Sequence, residues 1–373
     1  MYSIIREVAI FSPFVVSLNT ALYLFIKGWK KDQAKLILCC FMLVGSIFYA
    51  INILKEIGNL AVYNYLHTVY IGLLTIGIPL IYFYICSLTR CKENSKYLKL
   101  HFIPAIFISG ISTVLYFQMN YQTRIDFIQN ISHPDKPFYL FLINFFIGFK
   151  LVFFAQLLFY FFRIRKILQK HKHTINQIFS DGSGFDLNWV NLFFKLLIVW
   201  GLFAIIGYSF LINSYMHLDR LSFLTNIAVS CLFAGLYIMA SMQESLNNKI
   251  NENKDLEFES ETNYTAPNLK KKLLWCFEEK NIYLKKDLTI WDVCHETVSN
   301  RTYISNLIND EFGMNFNCFV NKYRVERATV ILRSKDYNHK SLDEIARLSG
   351  FNSLASFNRA FKKFTNTYPG SLR

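Results

Sequence analysis

The sequence is short of charge. Asp, Glu, Lys and Arg make up 18% of its 373 residues, where an ordinary globular chain has about 25%. Acid is the scarcer sign, 26 Asp and Glu against 40 Lys and Arg, and the long apolar runs of residues 1–242 hold almost none. That absence excludes the chains of buried carboxylates that carry protons through membranes. The eight cysteines, Cys39, Cys40, Cys86, Cys91, Cys231, Cys276, Cys294 and Cys318, form no CxxC pair and no Cys/His group with zinc-finger spacing. They read as small, reduced, mostly buried side chains, and no metal site is expected. No Walker-type glycine loop, HExxH or GxSxG is present, so no cofactor and no catalytic residues are read from the sequence, and the chain is taken as a non-enzyme.

What is present is oil. Hydrophobic residues account for 53% of the chain, and seven runs are long enough to cross a bilayer, which takes about 20 residues. They are Val8–Phe25, Leu36–Leu54, Tyr65–Leu88, Tyr97–Gln118, Phe138–Phe162, Trp189–Ile212 and Leu221–Met242. The connecting segments alternate in charge. Lys27, Lys30, Lys31 and Lys35 follow the first run, Arg90, Lys92, Lys96 and Lys99 the third, and Arg163, Arg165, Lys166, Lys170 and Lys172 the fifth. The intervening segments are nearly neutral. Basic loops stay in the cytoplasm, which places the N-terminus outside and everything after the seventh run inside. The first run is long and lacks a small-x-small cleavage site before Lys27, so it reads as an uncleaved span rather than a signal peptide.

Lys150, in FFIGFKLVFF, falls near the middle of the fifth run. Such a lysine is either an intramembrane ligand or signalling site, or a stem that snorkels to the nearest polar group. Lys195 lies near the end of the sixth run, where snorkelling suffices. The seventh run contains no lysine, against a retinal Schiff base.

Composition changes abruptly from Gln243 to Asn268, a polar linker with six Asp or Glu and two Lys. Met239, Met242, Leu246 and Ile250 form a weak stripe compatible with a short dimer coil. The later part, with Asn263, Thr265 and Pro267, reads as flexible.

Residues 269–373 hold 18 Lys or Arg and 11 Asp or Glu, a net charge of +7. They contain an internal echo. DVCHETVSNRTYISNLIN (Asp292–Asn309) parallels EIARLSGFNSLASFNRAFK (Glu344–Lys362), with one extra residue at the second turn. In each, a short helix is followed by a turn and by a capping residue, Asn300 or Ser353. A second helix then buries Ile304, Leu307 and Ile308, or Phe357, Ala360 and Phe361. Helix, tight turn, helix is the plan of DNA readers, whose second helix enters the major groove. Between the units, about 288–313 and 341–366, lies a linker helix over about 315–334. Its apolar face is Phe316, Phe319, Val320, Tyr323, Ala328, Ile331 and Leu332. Such a helix can hold two heads about 34 Å apart, one turn of DNA.

The motifs LTIWDV, NRTYISNLINDEFGMNF, YRVERATVIL, SLDEIARLSGF and FNRAFKKFTNTYPGSLR, in this order, resemble the DNA-binding domain of the AraC/XylS family of bacterial transcription regulators. The resemblance covers about Leu288–Arg373. The seven runs are no part of the common family pattern, so the whole resembles a membrane-tethered variant. The expected fold is all-α: a seven-span bundle (1–242), the linker (243–268) and a domain of two helix-turn-helix units (269–373). By motif position, the resemblance implies that Thr302, Ser305, Asn306 and Asn309 of the first head, and Ala355, Ser356 and Arg359 of the second, read bases. Arg301, Lys362 and Lys363 would meet phosphates. It implies double-stranded DNA as partner beside the bilayer, RNA polymerase as a candidate, an unknown signal, and a bacterial cytoplasmic-membrane location with the reading domain inside. Two departures stand out. Val298 occupies a turn position where the family often has Gly, and Leu354 and Ala355 are apolar where polar readers are common. A transporter or membrane enzyme carrying a regulatory DNA-binding appendage is the alternative. The lack of intramembrane catalytic clusters and of obvious inverted halves ranks it lower.

Overall fold

The computed structural model describes residues 2–28, 32–89, 91, 95–129, 137–211, 218–243, 266–337 and 339–372. Most of the expected linker, residues 244–265, and several loop lysines therefore lie outside the described residues. Helices form all the regular structure described, apart from one isolated antiparallel bridge between Phe179 and Thr289. The chain divides into two compact units, Met1–Leu168 with Leu187–Ser245, and Gln169–Asp186 with Leu246–Arg373.

The first unit holds α1 (Tyr2–Gly28), α2 (Gln33–Glu56), α3 (Leu60–Thr89), α4 (Ile103–Phe117), α5 (Tyr121–Ile128), the first part of α6 (Pro137–Ile178), α7 (Asn188–Leu211) and α8 (Leu218–Met242). α2 packs along α1 and α3, and α8 packs along α1. Their shared core includes Leu38, Met42, Tyr82 and Ile85, all fully buried. Six segments are long and apolar enough to cross a membrane: Ile5–Lys27, Gln33–Glu56, Leu60–Thr89, Lys99–Phe117, Ser183–Leu202 and Phe223–Met242. Among the described residues the count is thus six, not the expected seven. The missing stretch, Phe138–Phe162, is helical, but it belongs to a helix of 42 residues that carries Lys150 and runs on through Arg163, Arg165 and Lys166 to Ile178. Residues 143, 146 and 147 within it have no described side chains. Lys150 is half-buried on this helix.

Two prolines sit inside these helices, and each leaves the carbonyl four residues earlier without its helical donor. The Ser12 hydroxyl donates to Ala9 O at 3.0 Å, which serves the carbonyl freed by Pro13. Gln156 Nε2 reaches Thr75 O at 3.3 Å, which serves the one freed by Pro79. In hydrocarbon such groups find partners only within the protein.

The second unit consists of α9 (Ala266–Glu278), α10 (Ile290–Thr297), α11 (Arg301–Phe312), α12 (Phe316–Arg333), α13 (Leu342–Leu348) and α14 (Leu354–Thr365), with residues 169–186 from the end of α6 and the turn beyond it. α12 serves two cores. Phe316, Phe319 and Val320 pack with α9, α10 and α11, and Val325, Ala328, Ile331 and Leu332 pack with α13 and α14. Ile175, Ile178, Phe179 and Phe185 belong to the first of these cores.

Candidate nucleic-acid interface

Each head begins with a capped support helix. Thr289 and Asp292 close a reciprocal box at the start of α10, and Ser341 and Glu344 close the same box at α13. The two bonds from Ser341 hold the exposed Glu344 carboxyl below its usual range. The turn after α10 passes through Val298 at φ 54°, and the turn after α13 passes through Gly350 at φ 89°. The altered position thus keeps the left-handed geometry. Val298 tolerates it with its side chain 48% exposed, at the usual cost of about 1–2 kcal/mol for a non-glycine residue. Gly350 has no such freedom, since an added Cβ would lie 2.6 Å from Tyr283 O.

The second helix of each pair is the candidate reader. In α11 the Asn300 side chain accepts from Tyr303 N at 3.0 Å, and Gly313 ends the helix at φ 64°. Ile304, Leu307 and Ile308 face the core. Thr302 and Asn306 are exposed, and Arg301, Ser305 and Asn309 are half-buried. The Ser305 hydroxyl is already in use, donating to Gln177 Oε1 at 2.9 Å. In α14 the Ser353 hydroxyl accepts from Ser356 N at 3.2 Å, and Phe357, Ala360 and Phe361 face the core. Ala355 and Arg359 are exposed. The Ser356 hydroxyl donates to Ser353 O at 2.9 Å, which ties it to the cap. Arg359 rests its Nε on Ala355 O at 3.4 Å, leaving its two terminal nitrogens for a ligand.

The basic residues of α14 do not act as a set. Lys362 donates to the Tyr368 hydroxyl at 2.8 Å and lies 4.6 Å from that ring's centre. Lys363 turns instead toward α12, with Nζ 2.8 Å from Cys318 Sγ.

Two features escaped the sequence reading. Arg324, on the expected apolar helix, is fully buried at the seam between the two cores of α12. Its Nε donates to Tyr283 O at 2.7 Å, and its Nη2 to Lys285 O at 2.7 Å, Lys286 O at 3.2 Å and Ser180 Oγ at 3.2 Å. Burial lowers its pKa to about 10, against the pull of Asp181 and Asp287. It therefore stays charged at neutral pH and orders the turn between α9 and α10, Ile282–Leu284 and the residues just after it, against α12. Helical spacing held a clue, since Arg324 stands four residues from both Val320 and Ala328 on the apolar face. The second feature is the segment 169–186. Ser180 N donates to Leu288 O at 3.0 Å, Asn317 Nδ2 to Ser180 O at 2.7 Å, and Phe179 meets Trp291 edge-on at 6.1 Å. His171 anchors the turn through Nε2 at 3.0 Å from Phe185 O, and its burial lowers its pKa.

Paired, capped helix-turn-helix units on a shared central helix define a DNA-reader architecture. Residues 293–373 match the family description of a helix-turn-helix domain, and this C-terminal region carries a helix-turn-helix domain of the AraC/XylS type. Three uncharacterized HTH-type transcriptional regulators of Staphylococcus aureus, from strains COL, MSSA476 and N315, are each 29% identical to this chain over 92 residues. Those residues are 25% of this chain and span 12% of each relative. No solved structure matches the chain.

Proposed function

We propose that the chain is a sequence-specific transcription regulator held in a bacterial cytoplasmic membrane, with its N-terminus outside and its helix-turn-helix domain in the cytoplasm. The observation that carries the reading is α14: a helix with a fully buried aromatic face, an exposed Arg359 and a tethered Lys362, within a region that matches a helix-turn-helix domain. Arg359 reads guanine through a two-pronged bond, and Asn306 reads adenine in the same manner. Thr302, Ser305, Asn309, Ala355 and Ser356 complete the groove-facing sets. Arg301, Lys362 and Lys363 position the domain on phosphates. The loop charges support seven spans, counting the first part of α6 as the fifth. The spans or their outer loops receive the signal, and Lys150 is the candidate intramembrane site.

Two measurements test this. Full-length protein in lipid nanodiscs, mixed with random-sequence duplexes, is expected to enrich one bipartite motif. Enrichment of no sequence refutes DNA reading. A reporter active only outside the cytoplasm is expected to work when fused after Asn130 and to fail after Lys170 or Lys254. Activity after Lys254 puts the domain on the wrong side of the membrane and ends the proposal.

A further inference from the structure

The end of α6 carries a polar strip that the helix-turn-helix plan does not include. Lys170, His173, Thr174 and Gln177 recur at helical spacing, so they share one face. His171, Ile175 and Ile178 lie on the adjoining face and are buried. Lys170 and His173 are exposed, and Thr174 and Gln177 are half-buried. From Lys150 to Ile178 the sequence has no acidic residue. The strip ends against the first reading helix, where Gln177 Oε1 accepts the Ser305 hydroxyl. It is fixed there by the bridge from Phe179 to Thr289 and by the bond from Asn317 to Ser180 O.

We infer that this strip is a third DNA-contacting element, supplied by the hairpin between the fifth and sixth spans and resting on the DNA-reading function proposed above. Gln177 stands beside Ser305 and presents its amide, whose donor and acceptor suit an adenine edge. His173 and Lys170, about one and two turns back along the same face, meet phosphates flanking the groove. The Ser305 bond holds Gln177 in place for this contact. Because the bond is accepted by Oε1, its Nε2 donors remain available to the duplex.

The test uses the full chain in nanodiscs, random-sequence duplexes as probe, and salt titration on the sequence that the wild type enriches. Gln177→Ala is expected to weaken binding about two- to tenfold and to flatten the preference at one base of the first half-site. Gln177→Glu keeps an acceptor for Ser305 but turns a negative charge toward the duplex, so it is expected to lose at least as much. Lys170→Gln is expected to weaken all sequences alike and to lower the salt slope by about one. Lys172→Gln, off the strip, is expected to change neither. Wild-type affinity in Gln177→Glu makes the contact purely structural and overturns the inference. Tighter binding by Gln177→Ala also overturns it, because the segment is then a cover over the first head. Unchanged DNA binding in Lys170→Gln assigns that charge to the lipid surface, against the inference. If Arg359→Ala behaves as a base-reader variant while both Gln177 variants are inert, this inference alone falls. If the wild type enriches nothing, the DNA-reading proposal falls first.

Discussion

The two heads share a plan and differ in what supports it. The second closes on α12, α13 and α14, a contiguous stretch of about 50 residues ending at Leu372. The first closes only when Ile175, Ile178, Phe179 and Phe185 arrive from more than a hundred residues upstream. Their turns differ in the reverse sense. The second needs glycine, pressed on the Tyr283 carbonyl, whereas the first accepts an exposed valine in the same left-handed seat. An echo in sequence is therefore no measure of equal support. A motif records which face meets the ligand, and packing decides what holds that face still.

The largest effect is expected where the heads join. Arg324→Met keeps the apolar stem but takes the guanidinium from the carbonyls of Tyr283, Lys285 and Lys286, of which Lys285 O retains Leu288 N at 3.3 Å. A loss of about 3–5 kcal/mol is expected, read by thermal or denaturant unfolding of the second unit in the full chain. A loss below about 1 kcal/mol means that water replaces the guanidinium easily and the seam is no joint. Phe179→Ala separates the heads. It removes a ring that is 5% exposed, at a cost of about 3–5 kcal/mol. Hydrogen exchange is expected to speed in α10 and α11 and to stay slow in α13 and α14. Equal acceleration in all four helices shows that the two cores unfold as one.

Gly350→Val places a branched side chain at φ 89° and against Tyr283 O, with an expected cost of about 3 kcal/mol. Val298→Gly is its mirror and is expected to stabilise by about 0.5 kcal/mol, the relief of left-handed strain less the added freedom of the unfolded chain. Similar effects from the two exchanges contradict the asymmetry of the turns. Between these two in size falls a binding pair. Arg359→Ala is expected to cost about 1–3 kcal/mol at the enriched site and to relax one base position. Lys362→Ala is expected to weaken every sequence alike and lower the salt slope by about one. Loss of salt slope without loss of base preference in Arg359→Ala makes it a phosphate contact.

Much of the second unit was legible. Asn300 and Ser353 cap the helices that their positions announced, and the apolar triplets Ile304/Leu307/Ile308 and Phe357/Ala360/Phe361 are buried. These rest on local rules, capping chemistry and the 3.6-residue period. At the candidate site the helical period told which side chains stay off the core, and Thr302, Asn306, Ala355 and Arg359 are exposed, whereas Lys363 pairs with Cys318, which no spacing foretells. The docking of residues 169–186 was not legible. Its basic residues already had a sufficient explanation as a cytoplasmic loop, and Gln177 is 128 residues from Ser305. No local pattern spans that gap. The burial of Arg324 was not legible either, because its carbonyl partners on Tyr283, Lys285 and Lys286 lie about 40 residues away in the chain.

The dependence of the first head on residues 169–186 also bears on how the protein is born. Synthesis proceeds at about 5–20 residues per second. The hairpin bearing Phe179 therefore leaves the ribosome roughly 7–27 seconds before Val320 completes the core that buries it. During that interval Ile178 and Phe179 lack the native surfaces of α9 to α12, while the sixth and seventh runs are still being made. The second head needs no such wait, since all its parts follow one another. A nascent chain that stalls after α8 would display an adhesive hairpin with its receptor not yet translated. Slow translation between residues 187 and 320 should therefore increase the amount of chain captured by chaperones, and it should do so less when Phe179 is replaced by a polar residue.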